Sequence, residues 1–76
     1  ITALDFTLAK DADVKAYVTD IRGAVVKNLS DSKRSAGKHS IYWAGTDQQS
    51  NRMNAGMYLI HLSINGKVYT RKVILE

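Results

Sequence analysis

Apolar and polar residues alternate along most of this chain with a period of two. Leu4, Phe6 and Leu8 are separated by Asp5 and Thr7, which predicts a half-buried strand. Lys10 to Asp13 is a polar turn. From Val14 to Asp20 the alternation resumes, with Val14, Ala16 and Val18 on one face. Asp20-Ile-Arg-Gly23 reads as a turn in which Gly23 can take positive φ without a Cβ clash. Ala24 to Leu29 is then the return strand of a hairpin. Ser30 to Gly37 is polar throughout and reads as a loop. His39 to Trp43 is the next strand, with Ile41 and Trp43 on one side and Ser40 and Tyr42 on the other.

Ala44 to Ala55 is polar again and reads as the crossing between two sheets. Gly56 to Ile64 is the longest strand. Tyr58, Ile60, Leu62 and Ile64 face one way; Met57, Leu59, His61 and Ser63 face the other. Asn65-Gly66 is the strongest hairpin signal in the chain, because both positions of a tight primed turn want positive φ. Val68 to Leu75 returns antiparallel. Short strands joined by turns, with no helical period, predict an all-β antiparallel sandwich.

Composition narrows the picture. Seventy-six residues make one domain with a small core. Without cysteine, the chain has neither a disulfide framework nor a cysteine-based zinc site. The net charge of +4 is scattered and forms no basic stripe, so nucleic-acid binding is not expected. No apolar run is long enough to form a membrane-spanning helix. The chain opens at Ile1 inside a strand pattern, so it is expected to be a piece of a longer protein.

Three blocks and a closing segment resemble a known family. Val14 to Val26 has an alternating strand, an Asp, a short step to Gly23 and a Val-rich return. Gly37-Lys-His-Ser-Ile-Tyr-Trp43-Ala-Gly45-Thr-Asp47 has the spacing of a Gly, a His and a Trp-Asp-Gly-x-Asp block, with Ala44 in place of the first Asp. Gly56-Met-Tyr58 resembles a Gly-Val/Ile-Tyr strand entry. Together they resemble the Ig-like domain of the flagellar hook-capping family and its relatives at the C-termini of type IX-secreted proteins. A further departure is Gln49 to Arg52, which lacks the usual Gly.

The resemblance implies a small immunoglobulin-like sandwich of about seven strands that is not an enzyme and holds no cofactor. Gly23, Gly37, Trp43, Gly45, Asp47, Gly56 and Tyr58 would be its structural motif. The closing segment Arg71, Lys72, Val73, Ile74, Leu75, Glu76 resembles the type IX block, in which a Lys precedes a short apolar strand. On that basis the leading expectation is a C-terminal sorting and attachment domain. It would follow an N-terminal cargo domain, commonly a hydrolase, and be recognised by the outer-membrane export machinery. The protein would then be secreted or held at the cell surface.

The residues leave two other readings. Exposed aromatic rings stack on sugars, so Tyr42 and Tyr17 are candidate contacts of a carbohydrate-binding or spacer module beside a polysaccharide-degrading enzyme. The other is a hook-cap-type assembly domain, which would oligomerise. No catalytic constellation is expected: two histidines without a convergent nucleophile make no triad. Asp5, Asp11 and Asp13 lack the spacing of a calcium loop and read as turn and strand residues.

Overall fold

The computed structural model describes residues 2–76; the strand placement of Ile1 lies outside them. Among the described residues six strands form: β1 (Thr2–Leu8), β2 (Ala12–Asp20), β3 (Val25–Arg34), β4 (Gly37–Trp43), β5 (Gly56–Ile64) and β6 (Lys67–Leu75). They make two antiparallel sheets, a small one of β1 and β4 and a larger one in the order β3-β2-β5-β6. The chain is therefore an all-β, Ig-like sandwich. It has one strand fewer than the resemblance implied, because the smaller sheet stops at two and the crossing loop supplies only the single bridge Thr46–Arg52.

The inward faces follow the alternation in the sequence. Leu4 and Leu8 of β1 and Ile41 and Trp43 of β4 face Val14, Ala16 and Val18 of β2 and Tyr58, Ile60 and Leu62 of β5, and all are buried. The two central strands, β2 and β5, form the floor of this core. Their register pairs Val14 with Ile64 and Val18 with Ile60, so apolar side chains stand beside one another across the ladder.

The stretch Ser30 to Gly37 departs from its reading as a loop. β3 runs on through Arg34, with Ser30 opposite Ala16 and Arg34 opposite Ala12. An edge strand needs backbone partners on one side only, and β2 supplies them, so polar side chains are tolerated there. The pairing shifts twice, between Ala16 and Tyr17 and between Val18 and Thr19. These shifts leave Leu29 and Val26 without register partners, and both pack against the core. Three residues apart, the two could not share a face in a regular strand; each sits at a bulge, where the alternation of faces is broken.

The Asn65-Gly66 turn forms as read, with φ of 49° and 87°. It is also tied to the rest of the sheet: Asp13 N donates to Asn65 Oδ1 and Asn65 N donates to the Asp13 carbonyl, each at 2.9 Å. This end of the molecule is held by a further bond, from Ala36 N to Asp11 Oδ1 at 2.9 Å.

Candidate functional site

The most constructed part of the molecule is the loop between β4 and β5. Its anchor is Trp43, the last residue of β4 and 1% exposed. Its indole Nε1 donates to the Thr46 carbonyl at 2.9 Å, so burial of the ring leaves no polar atom unpaired. The ring meets Tyr58 edge-on, with centroids 5.5 Å apart and planes at 65°. Tyr58, buried near the start of β5, donates its hydroxyl to the Asn54 carbonyl at 2.7 Å. A buried tyrosine bonding the backbone four residues upstream has the logic of the tyrosine corner of Ig sandwiches.

Between these two rings Asp47 organises the chain. Its Oδ1 accepts from Gln49 N at 3.0 Å and Asn51 N at 2.9 Å, an Asx-type turn continued by a second bond two residues on. Asp47 N donates to the Asn51 carbonyl and Met53 N to the Gly45 carbonyl, each at 2.9 Å. Lys27 Nζ and Asn28 N reach across from β3 to the Asp47 carbonyl and to Gln48 Oε1, both at 3.3 Å. Gly45 has φ +78°, and a Cβ there would lie 3.3 Å from Leu75 Cδ2. The motif residues Trp43, Gly45, Asp47 and Tyr58 are thus brought together as a corner, with their polar groups spent on the chain itself.

The β2–β3 turn lies at the same end of the sandwich. Asp20 Oδ1 accepts from Arg22 N at 2.9 Å and Ala24 N at 3.1 Å, and Oδ2 pairs with Arg22 at 3.1 Å. Partial burial pushes the Asp20 carboxyl upward. The bonds from the Arg22 guanidinium and the two backbone amides, with the Arg22 charge, outweigh this and hold it below its ordinary range. Gly23, at φ +91°, makes the reversal. Gly37 and Gly56 open β4 and β5 with φ of +124° and +147°, and space is open around each.

The remaining candidates disperse. Tyr42 is 63% exposed on the outer side of the small sheet, whereas Tyr17 lies on the outer side of the larger one. They face away from each other and form no shared sugar platform. Tyr17 is stacked on His61, centroids 4.8 Å apart. His61 bridges the hydroxyls of Thr19 at 2.9 Å and Thr70 at 3.1 Å, a chain of side chains crossing three strands. His39 stacks on Phe6 and donates Nε2 to the Ser35 carbonyl at 2.7 Å. The two histidines have separate neighbours, and Asp5, Asp11 and Asp13 make separate bonds to Ser40, Ala36 and Asn65.

Arg71 to Glu76 do not act as a unit either. In β6, Val73 is buried in the core, Leu75 packs beneath Gly45, Ile74 and Lys72 face outward, and Arg71 stands exposed on the inner side. Two surface features escaped the sequence reading. One is an apolar area on the outer side of the larger sheet, where Ile21, Val25, Met57 and Ile74 are all more than 40% exposed. Met57 and Ile74 are register partners. The other is a groove of about 410 Å³ between β1 and β6.

The FlgD Ig-like domain family matches residues 1–67. Among solved structures, the chain is similar to FlgD from P. aeruginosa, with a TM-score of 0.65 and 30% sequence identity over 96% of this chain. It spans 58% of the length of that relative. No curated protein matches it. These likenesses overturn the type IX reading. The family match is to FlgD and ends at residue 67, ahead of the segment Arg71 to Glu76 on which a sorting signal rested, and the FlgD likeness takes in 96% of the chain.

Proposed function

The chain belongs to the FlgD Ig-like domain family, and from that premise we propose that it is a non-catalytic assembly domain of the flagellar hook-cap kind, working at the cell surface. The observation that carries the reading is the family match over residues 1–67, joined by the 30% identity to a solved FlgD. The geometry supports it. The corner built on Trp43, Asp47 and Tyr58 spends its polar groups on its own loop, and the Trp43–Tyr58 ring contact joins a strand of one sheet to a strand of the other, which suits a spacing module better than a ligand site.

The outer side of the larger sheet adds a surface for association. An outward sandwich face is ordinarily polar. Here Ile21, Val25, Met57 and Ile74 cluster near one end of it, beside half-buried Leu59. Met57 and Ile74 are register partners, and adjacent exposed apolar residues mark interaction surfaces. A second copy of the domain is the occupant that an assembly role requires. Sedimentation velocity across a range of concentrations tests it. The expected result is reversible self-association that Ile74→Asp weakens; a monomer at every concentration overturns the assembly reading.

A further inference from the structure

The register sorts the outer side of the larger sheet into rows. Met57 and Ile74 make the row at one end. Thr19, Leu59 and Lys72 make the next, with Val25 beside Thr19. Tyr17, His61 and Thr70 make the third, and Lys15, Ser63 and Val68 the fourth. The apolar end therefore runs into a polar row centred on His61. A shallow hollow of about 520 Å³ joins the two, lined by Ile21, Val25 and Leu59 together with Thr19, Tyr17 and His61.

Self-association through the apolar end, the reading on which this inference rests, needs more surface than that end has. A stable interface covers about 800 Å² and roughly 20–30 residues on each partner. Ile21, Val25, Met57, Leu59 and Ile74 are too few to supply it. A second sheet packed face to face on them therefore reaches over the row of His61.

The half-buried His61 ring is prepared for such cover while it is neutral. Its Nε2 lies 2.9 Å from the Thr19 hydroxyl and its Nδ1 3.1 Å from the Thr70 hydroxyl. A neutral imidazole donates from one nitrogen and accepts at the other, and a hydroxyl can do either, so the ring is satisfied without water. An imidazolium donates from both nitrogens. The threonine that had donated to the ring must then turn its hydroxyl hydrogen away, and the ring gains a charge.

Nothing beside the ring balances that charge. Its register partners are Tyr17 and Thr70, and Lys15 and Lys72 stand one row to either side, on β2 and β6. Arg22 lines the hollow and is paired with Asp20. On β3, Asp31 stands opposite Lys15, and farther along Asp13 of β2 stands opposite Lys33. Tyr17, stacked on the ring with centroids 4.8 Å apart, carries no charge. A second copy brings the same groups. Taking a charged ring out of water there costs free energy that the neutral ring does not lose.

We propose that His61 gates self-association of this domain: the neutral ring lets a second copy cover the outer side, and protonation drives the copies apart. Histidine is the side chain that ordinarily gains its charge between about pH 8 and about pH 5, so association is tighter on the alkaline side of that window. Proton and second copy act as competing ligands, and each weakens the other by the same factor.

Sedimentation velocity of this chain at about pH 8 and about pH 5.5 reads the gate, and NMR of the histidine rings at low and high protein concentration is the second measurement. The expected result is association at least roughly fivefold weaker at the lower pH, a difference that His39→Gln retains and His61→Gln abolishes. The pH at which His61 charges should fall as protein concentration rises, while that of His39 stays fixed. Equal association at both pH values overturns the gate and leaves the assembly reading standing, as does a loss at low pH that a folded His61→Gln chain retains. A His61 titration indifferent to concentration in a chain that associates also overturns it, and this decides the matter should His61→Gln fail to fold. A monomer at both pH values and every concentration overturns both readings.

Discussion

The corner around Trp43 and the flank along β6 solve the same problem in opposite ways. Both lie at the margin of the sandwich, where a small core meets water. At the corner a large ring is sealed completely, its N–H and the hydroxyl of its aromatic neighbour are both bonded to backbone, and the loop is closed on itself by Asp47. On the flank nothing is sealed. Tyr69 and Arg71 present apolar stems and wet tips over a groove that the described strands of the smaller sheet do not cover. The difference is one of energetic role: the corner supplies stability, and the half-exposed side chains of the flank supply little.

That contrast can be broken by substitution, beginning with the largest effect. Trp43→Ala should cost about 3–5 kcal/mol, a large part of the stability of so small a domain, and urea unfolding followed by circular dichroism measures it. Should the loss come out below about 1 kcal/mol, the corner would not be the anchor. Gly45→Ala should cost roughly 1–3 kcal/mol, since it places an L residue at φ +78° and a methyl against Leu75. The shift in urea midpoint reports it. Tyr58→Phe keeps the ring and removes the bond to Asn54, and should lose about 1 kcal/mol.

Acidification sharpens the comparison from another side. The Asp20 carboxyl is held below its ordinary range in the folded chain. Its contribution is therefore present above the unfolded-state value and is lost as pH falls through the lowered folded one. Stability measured by urea melts should decline over that acid range, and Asp20→Asn should flatten that decline. The smallest effect belongs to the flank: Tyr69→Thr should change stability by no more than about 0.5 kcal/mol, because a half-exposed side chain on an edge strand is replaced by another strand former. A cost as large as that at Tyr58 would mean that β6 is part of the core after all.

Much of this was legible in the chain. The period of two placed Leu4, Val14, Val18, Ile41, Trp43, Ile60 and Leu62 inside, because a strand turns every second side chain to the same face. Asn65-Gly66 fixed the β5–β6 hairpin through local backbone preference alone. The flank was legible in part as well: once that turn sets the register, Lys67, Tyr69 and Arg71 must lie beside Ile64, Leu62 and Ile60, a mismatch of polar against apolar that marks β6 as an outer strand of its sheet. The extension of β3 through Arg34 was not. Its polar side chains carry no periodic signal, and the strand exists because β2 offers it backbone partners. Nor did Val26 and Leu29, three residues apart, show that bulges would bring both to the core. The corner was visible as a motif but not as a structure, since the bonds of Trp43 and Tyr58 run to carbonyls that any residue supplies.

The sequence by itself determined which residues face inward, where the tight turns fall and that the strands are antiparallel, because these depend on side-chain alternation and local φ preferences. Only the tertiary structure decided how the described strands divide between two sheets, and that β3 and β6 are the outer strands of the larger one. That division is set by which non-adjacent strands find one another, β1 with β4 and β2 with β5. Those pairings rest on burial shared across the whole core rather than on any one segment.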